Sequence, residues 1–301
     1  MGVALAQEGA FGFGLQASKG EYVAPSVWLP LMAGPGGQSD TLKWQKSYVT
    51  LDMADHNAYE SKYYSAGEWA EGKVTVPLVP GALTALFSWV QDRDADSQGK
   101  WASVVVDCVN EVKQLTDAKV RRMVMDFVKG QPVTCTLELA ALKMERGAHP
   151  SPSLPTTAPY LYQEAEVALA SGGGQLLEDV ACERIRLVID NMLEEPAEGL
   201  RLTGGKHPQQ LYNLSGLRCR GLISRDFVDT RVYSDFAAGQ EAALRIELVR
   251  GANVASIALP RVLYTESDLG LPGSHEQRIV ETVQFVGLGS LDGLTPPVVL
   301  A

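Results

Sequence analysis

Basic excess, reactive motifs and long apolar runs are what this chain lacks, and each shortage removes a class of function. Lys and Arg number 26 against 36 Asp and Glu, a formal charge of −10. A protein that grips phosphate needs clustered Lys and Arg to release counterions, so such a nucleic-acid binder is excluded, although a protein that lets nucleic acid pass is not. The four cysteines, Cys108, Cys135, Cys182 and Cys219, form no C-x-x-C pair. That spacing offers neither a zinc knuckle nor a small disulfide framework, and reduced thiols are expected. No G-x-S-x-G, no G-K-[ST] phosphate loop and no H-E-x-x-H occurs, which removes the common hydrolase, nucleotide and zinc-protease signatures.

The fragments that come nearest to chemistry all have plainer readings. "GFGLQASKG" (12–20) lacks the third glycine spacing of a dinucleotide loop, and "SGGGQ" (171–175) reads as a turn. "SQGK" (97–100) has the S-x-x-K spacing but sits in a polar turn, where no helix would present the serine. "DMADH" (52–56) holds two carboxylates and an imidazole, too few convergent oxygens for a hard cation. His149, His207 and His275 fall in loop-like surroundings, and "NLS" at Asn213 matters only in a secreted chain. The opening "MGVALAQEGAFGFG" carries no basic stretch before its apolar residues, so the chain reads as one made in the cytoplasm. Val74 to Gln91 is uncharged and close to membrane-spanning length, but Pro77, Pro80 and Gly81 divide it. Val74, Val76 and Leu78 alternate as a strand, whereas Leu83, Leu86, Phe87 and Val90 follow helical spacing, so no membrane insertion is expected.

What is present is a β pattern stated twice. The first half offers "KVTVPLV", a short helix "PGALTALFSWVQ", an acidic turn, then "WASVVVDCV", "KVRRMVMDFV" and "VTCTLELAAL". The second offers "CERIRLVID", "LRCRGLISRDF", a short helix within Phe227 to Val249, then "ALRIELV", "SIALPRVLY" and "RIVETVQFVGL". In that second helix Asp229 is the expected cap, Val232, Tyr233 and Phe236 the expected buried face, and Gly239 the left-handed stop. Between the halves, 146–160 carries four prolines among small polar residues and reads as an extended linker. The expected division is a domain over 1–148, a linker over 149–159 and a second domain over 160–301, related by tandem duplication. Ten of the eleven Lys lie in the first half, leaving the second to Arg and to more fixed ion pairs. An arm over 39–73 holds Trp44, Tyr48, Tyr59, Tyr63, Tyr64 and Trp69 among charged residues. So many aromatics cannot all enter the core of one short segment, and they are the candidate subunit-interface residues.

The stretch "GFGLQASKGEYVAPSVWLPL" (12–31) resembles the N-terminal signature of phage major tail tube proteins of long non-contractile tails, at Gly14, Gly20, Val23, Ala24, Pro25, Trp28, Leu29 and Pro30. "GKVTVPLVPGALTALFSWV", "DAKVRRMVMDFVKGQPVTCTLELAA", "RIRLVIDNMLEE", "YSDFAAGQEAALRIEL" and "SIALPRVLY" extend the likeness in order along most of the chain. The acidic turn at 92–99 and "ACERIR" depart from the family pattern. The resemblance implies a mostly β fold: tandem tail-tube-type β-sandwich domains, each flanked by a short α-helix, with a long extended loop or hairpin. It further implies a structural, non-enzymatic subunit that self-assembles into stacked rings in a virion tail, put together in the bacterial host cytoplasm. Trimeric rings with pseudo-sixfold symmetry are expected over hexamers. The lumen would hold a tape measure protein and then double-stranded DNA without specific binding, with tail terminator and tail tip proteins at the ends. No catalytic residue, metal or cofactor is implied, and the acidity of both halves leads to an expected negative inner wall. The alternative is a two-domain β-sandwich module that binds carbohydrate or a host surface.

Overall fold

Alternation sets the strands. In "CERIRLVID", Ile185, Leu187 and Ile189 are buried while Arg184 and Arg186 point away, the period of a strand with one face on a core. The computed structural model describes residues 9–32, 40–50, 63–94, 96–108, 111–172, 174–179, 181–201, 205–270, 278–291 and 295–300. In the first half these are β1 (Ala10–Leu15), β2 (Val27–Pro30), β3 (Lys43–Thr50), β4 (Tyr63–Pro77), α1 (Ala82–Gln91), β5 (Ala102–Asp107), β6 (Val112–Val128) and β7 (Thr134–Arg146). In the second they are β8 (Ala165–Ser171), β9 (Leu177–Glu178), β10 (Cys182–Asp190), β11 (Arg218–Asp226), α2 (Arg231–Ala238), β12 (Glu241–Arg250), β13 (Asn253–Gly270), β14 (Val280–Gly287) and β15 (Val299–Leu300). The protein is mostly β, with every strand pairing antiparallel.

The two halves have one topology. The first runs β2-β1-β5-β6-β7-β4-β3 across the sheet, and the second β9-β8-β12-β13-β14-β11-β10. Each strand of the first order has its counterpart at the same place in the second, in the same chain order, with α1 and α2 at the same connection. The irregularities coincide as well. Against β5, β6 shifts register between its Ala118 and Leu115 partners, and against β12, β13 shifts between Val262 and Leu259. A second bulge lies between Val120 and Arg122 on β6 and between Tyr264 and Glu266 on β13. Bulges re-aim a strand and persist within a fold, so two matching bulges are a stronger likeness than strand order alone.

Hydrogen bonding also joins the halves into one sheet, which alternation could not foretell. β6 outruns β5, and the edge thus freed from Arg122 to Val128 is taken by β10. One apolar cluster follows the sheet through both halves, from Phe11, Phe13 and Trp89 to Ile246, Leu259 and Phe285. The Pro-rich segment 149–159 carries no helix or strand, and its end is tied down where the Tyr160 N–H donates to Leu78 O and the Val133 N–H donates to Tyr160 O.

The helices are short patches on this core. α1 buries Leu83, Leu86, Phe87, Trp89 and Val90, with Trp89 stacked on Phe13 at 5.0 Å between centroids. α2 differs from its expected face, since it buries Val232 and Asp235 while Tyr233 is exposed. Asp235 is drawn inward because the Ser171 hydroxyl donates to its carboxylate. Asp229 stands one residue ahead of the cap position, yet still accepts the Arg231 N–H, and Gly239 stops the helix at φ 61.

Candidate assembly surface

Two surfaces stand out beyond the main core: the outer part of the β3–β4 hairpin, with Trp44 and Tyr48 exposed, and the sheet face turned away from the core. The hairpin pairs Lys43 through Thr50 with Glu71 back to Tyr63, with Ala66 as a bulge residue. Its base is anchored on the second half, where Glu68 meets Lys206 at 3.0 Å and Lys46 at 3.5 Å. Glu68 is held below the usual carboxylate range first by the hydrogen bond from Lys206. Gly67 lies against Leu200, where a Cβ would come within 2.6 Å of the leucine side chain.

The structure places the arm residues differently from one another. Trp44 is 43% and Tyr48 52% exposed, on the same side of β3, with the Lys46 ammonium 4.6 Å from the Trp44 ring centre. Trp69 is half-buried opposite Gln45, and its ring N–H meets no acceptor among the described residues. Tyr63 and Tyr64 sit in register with Thr50 and Val49, and Tyr59 lies outside the described residues. Trp44 pairs across the ladder with Ala70, which is fully buried. Its side of β3 is therefore the core side of the sheet, running out past the end of its own core.

The face away from the core carries both signs of charge. Arg122 contacts Asp190 at 3.0 Å and Glu138 at 3.8 Å, Arg184 contacts Asp126 at 3.5 Å, and Arg220 contacts Asp190 at 3.7 Å. Lys73 joins the set through Glu138 at 3.8 Å. Lys73, Glu138, Arg122, Asp126, Arg186 and Arg220 line a groove across β4, β7, β6, β10 and β11. Cations thus outnumber carboxylates there, and the pairs with an exposed partner each contribute little to stability. The face does not have the acidic excess of the whole chain.

Nothing in the described residues assembles reactive groups. No cluster of three or more His, Cys, Asp or Glu able to hold a metal occurs among them, and no described helix is long and apolar enough to cross a membrane. The four cysteines are free, and burial pushes Cys135, Cys182 and Cys219 up to about 12, far from a reactive thiolate at neutral pH.

The family model for phage tail tube proteins matches residues 8–287. The chain belongs to the phage tail tube protein family. It is a structural component of a phage tail and hence of the virion. Among solved structures, a chain of the anti-feeding prophage baseplate, determined by cryo-EM with sixfold symmetrisation, is similar at 13% identity and a TM-score of 0.34. That match covers 52% of this chain and 97% of the other. No curated protein sequence matches the tail tube chain. The residues that sequence reasoning missed are those of the β6–β10 junction, because a shared strand edge leaves no mark in composition or spacing.

Proposed function

We propose that this protein self-assembles into stacked rings forming the hollow tail tube of a long non-contractile phage tail, a conduit for DNA during ejection. The observation that carries the reading is the repeated unit. One chain contains the same seven-strand order and the same two bulges twice, joined edge to edge. On this reading the units are domains over 1–148 and 160–301, joined by the linker 149–159 and related by tandem duplication. An edge-to-edge junction that is heterologous propagates until it closes, so three chains would give a trimeric ring of six similar units. A hexamer would result only if each chain counted as one unit.

The face bearing Arg122, Asp126, Arg186 and Asp190 is the proposed lumen wall. In place of the expected acidic wall it carries cations tied to carboxylates of the same face, so a duplex carrying one charge per about 1.7 Å would meet cations already partly neutralised by their own partners. The tape measure protein would fill this lumen first and DNA afterwards, with tail terminator and tail tip proteins at the two ends and assembly in the host cytoplasm. Negative-stain microscopy of the purified chain tests the reading: rings or tubes with six similar lobes from three chains are expected. Six lobes from six chains would overturn the trimer. Monomers at all concentrations would overturn self-assembly and favour the carbohydrate- or surface-binding module.

A further inference from the structure

The junction inside the chain has an unfilled copy at its end. β10 occupies the edge of β6 from Arg122 to Val128, the stretch β5 leaves free. The counterpart of β6 is β13, and the counterpart of its free stretch runs from Glu266 to Gly270, beyond the last β12 partner at Leu263. Among the described residues that edge of β13 is paired with no strand. The counterpart of β10 is β3 together with the residues leading into it, which pairs with β4 on one side and with no described strand on the other.

Burial differs where the topology agrees. Ile189 in β10 is fully buried, whereas Trp44, at the same ladder position in β3, is 43% exposed. Met123 and Met125 of β6 are buried, while Glu266 and Asp268 of β13 are exposed and Ser267 and Leu269 half-buried. The same holds beside the junction. The β10–β11 connection lies back across the first half, burying Leu193 and Leu211 on Ala140 and Leu142. Val286 and Leu288, the counterparts of Ala140 and Leu142, are only half-buried. The β3–β4 arm is the counterpart of that connection.

From this we infer that β3 of one chain adds as a strand to the Glu266–Gly270 edge of a second copy, repeating the β6–β10 junction between molecules, with the arm lying over Val286 and Leu288 of that copy. The inference rests on the self-assembly reading and specifies its contact. The internal register transfers directly. Arg122, Met123, Val124, Met125 and Asp126 face Asp190, Ile189, Val188, Leu187 and Arg186. Glu266 would thus face Gln45, Ser267 face Trp44, Asp268 face Lys43, Leu269 face Leu42, and Gly270 face Thr41.

Charge supports that register, since it sets Asp268 directly opposite Lys43. Neither has an ion-pair partner in its own chain among the described residues. The backbone supports it too. Within the chain Asn191 N–H donates to Arg121 O and Lys129 N–H to Glu183 O, so Ile189 and its alternate neighbours are the ones bonded toward β6. Trp44 is their counterpart and would exchange bonds with Ser267. At Leu42 the free chain blunts its own edge, for the Asp40 carboxylate accepts the Leu42 N–H at 2.7 Å and Lys113 donates to Leu42 O at 2.9 Å. Such capping restrains an open strand from pairing indiscriminately, and it must release for the last pairs to form.

Lys43 and Asp268 would form a non-hydrogen-bonded pair, the closer kind, suited to a disulfide. The test mixes two full-length single variants, Lys43→Cys and Asp268→Cys, under mild oxidation. A crosslinked dimer from the mixture is expected, none from either variant alone, and little when Leu269→Cys replaces Asp268→Cys. In parallel, Lys43→Glu and Asp268→Lys should each lose rings in negative stain, and Lys43→Glu with Asp268→Lys in one chain should regain them. Both positions are exposed, and unchanged circular dichroism establishes that each variant folds. If wild-type chain makes rings but the crosslink or the charge-swap rescue is missing, this register is wrong and the self-assembly reading stands. If wild-type chain makes no rings, both fall.

Discussion

Arg225 is the place where a single substitution should be most costly to the fold. It is 1% exposed, with its Nε 3.0 Å from Asp179, and its Nη1 3.5 Å from Glu281 and 3.4 Å from Asp229. The contacts to Asp179 and Glu281 lie off hydrogen-bond geometry, so attraction between charges is most of what holds those two carboxylates inside. Replacing Arg225 by Met removes the cation and leaves Asp179 and Glu281 buried, a loss of about 3–5 kcal/mol. Asp229 is half-exposed and adds little. A proton offers an escape. Burial already pushes Glu281 up against the opposing pull of Arg225, and without that pull it rises further. Taking up a proton at pH 7 from an unfolded-state pKa near 4.3 costs about 3.7 kcal/mol, and at pH 5 about 1 kcal/mol. Because the folded variant then holds a proton that the unfolded chain has released, its stability falls as pH rises through that window.

Urea unfolding of unassembled Arg225→Met should therefore show the full loss at pH 7 and a clearly smaller one at pH 5. The first half supplies the control. At the matching register it has Val76 opposite Cys135 where the second half has Arg225 opposite Glu281. Arg225→Val with Glu281→Cys should recover the part of the loss due to Glu281. A loss under about 1 kcal/mol, with no difference between the two pH values, would refute the argument that this cluster is held by charge.

Gly221 packs where a Cβ would come within 2.4 Å of Phe285 and 2.5 Å of Arg186 O, so Gly221→Ala should cost about 1–3 kcal/mol in chemical denaturation. Lys119, buried against Trp101 and donating to Leu211 O at 2.7 Å, is pushed down to about 8 chiefly by burial. Its folded form sheds a proton that the unfolded form keeps, so wild-type stability should rise between about pH 8 and 10.4 relative to Lys119→Met, and parallel pH curves would contradict this. Trp44→Ala and Tyr48→Ala should abolish rings in negative stain while moving the melting temperature little, as both rings are about half exposed; a large fall in melting temperature would place them in the monomer core instead. Short duplex DNA at low salt should not bind the isolated chain, whereas micromolar affinity that weakens steeply with salt would show a subunit that grips its cargo.

Much of the fold was legible because it is written in side-chain period. Alternation at Ile185, Leu187 and Ile189 marked a strand, and the spacing of Leu83, Leu86, Phe87 and Val90 marked a short helix where an apolar count alone suggested a membrane span. The arm was visible as aromatics in excess of any local core, and Trp44 and Tyr48 are about half exposed in the folded chain. At α2 the pattern misled, since Tyr233 shares an apolar spacing with Val232 and Phe236 but faces solvent, while Asp235 turns inward to Ser171. A local period cannot count a bond to a residue far along the chain.

The sequence by itself determined the alternating core faces of the strands, where the two helices lie, and that one β pattern is stated twice about a proline-rich middle. Only the tertiary structure decided which edge meets which. Side-chain alternation specifies the faces of a strand, but backbone N–H and C=O groups along its edges are alike for every residue except proline. Partner choice therefore depends on where strands end. β6 outruns β5 and accepts β10, while β13 outruns β12 and, among the described residues, accepts no strand. That difference in length, invisible as composition, is what leaves one edge of the protein open.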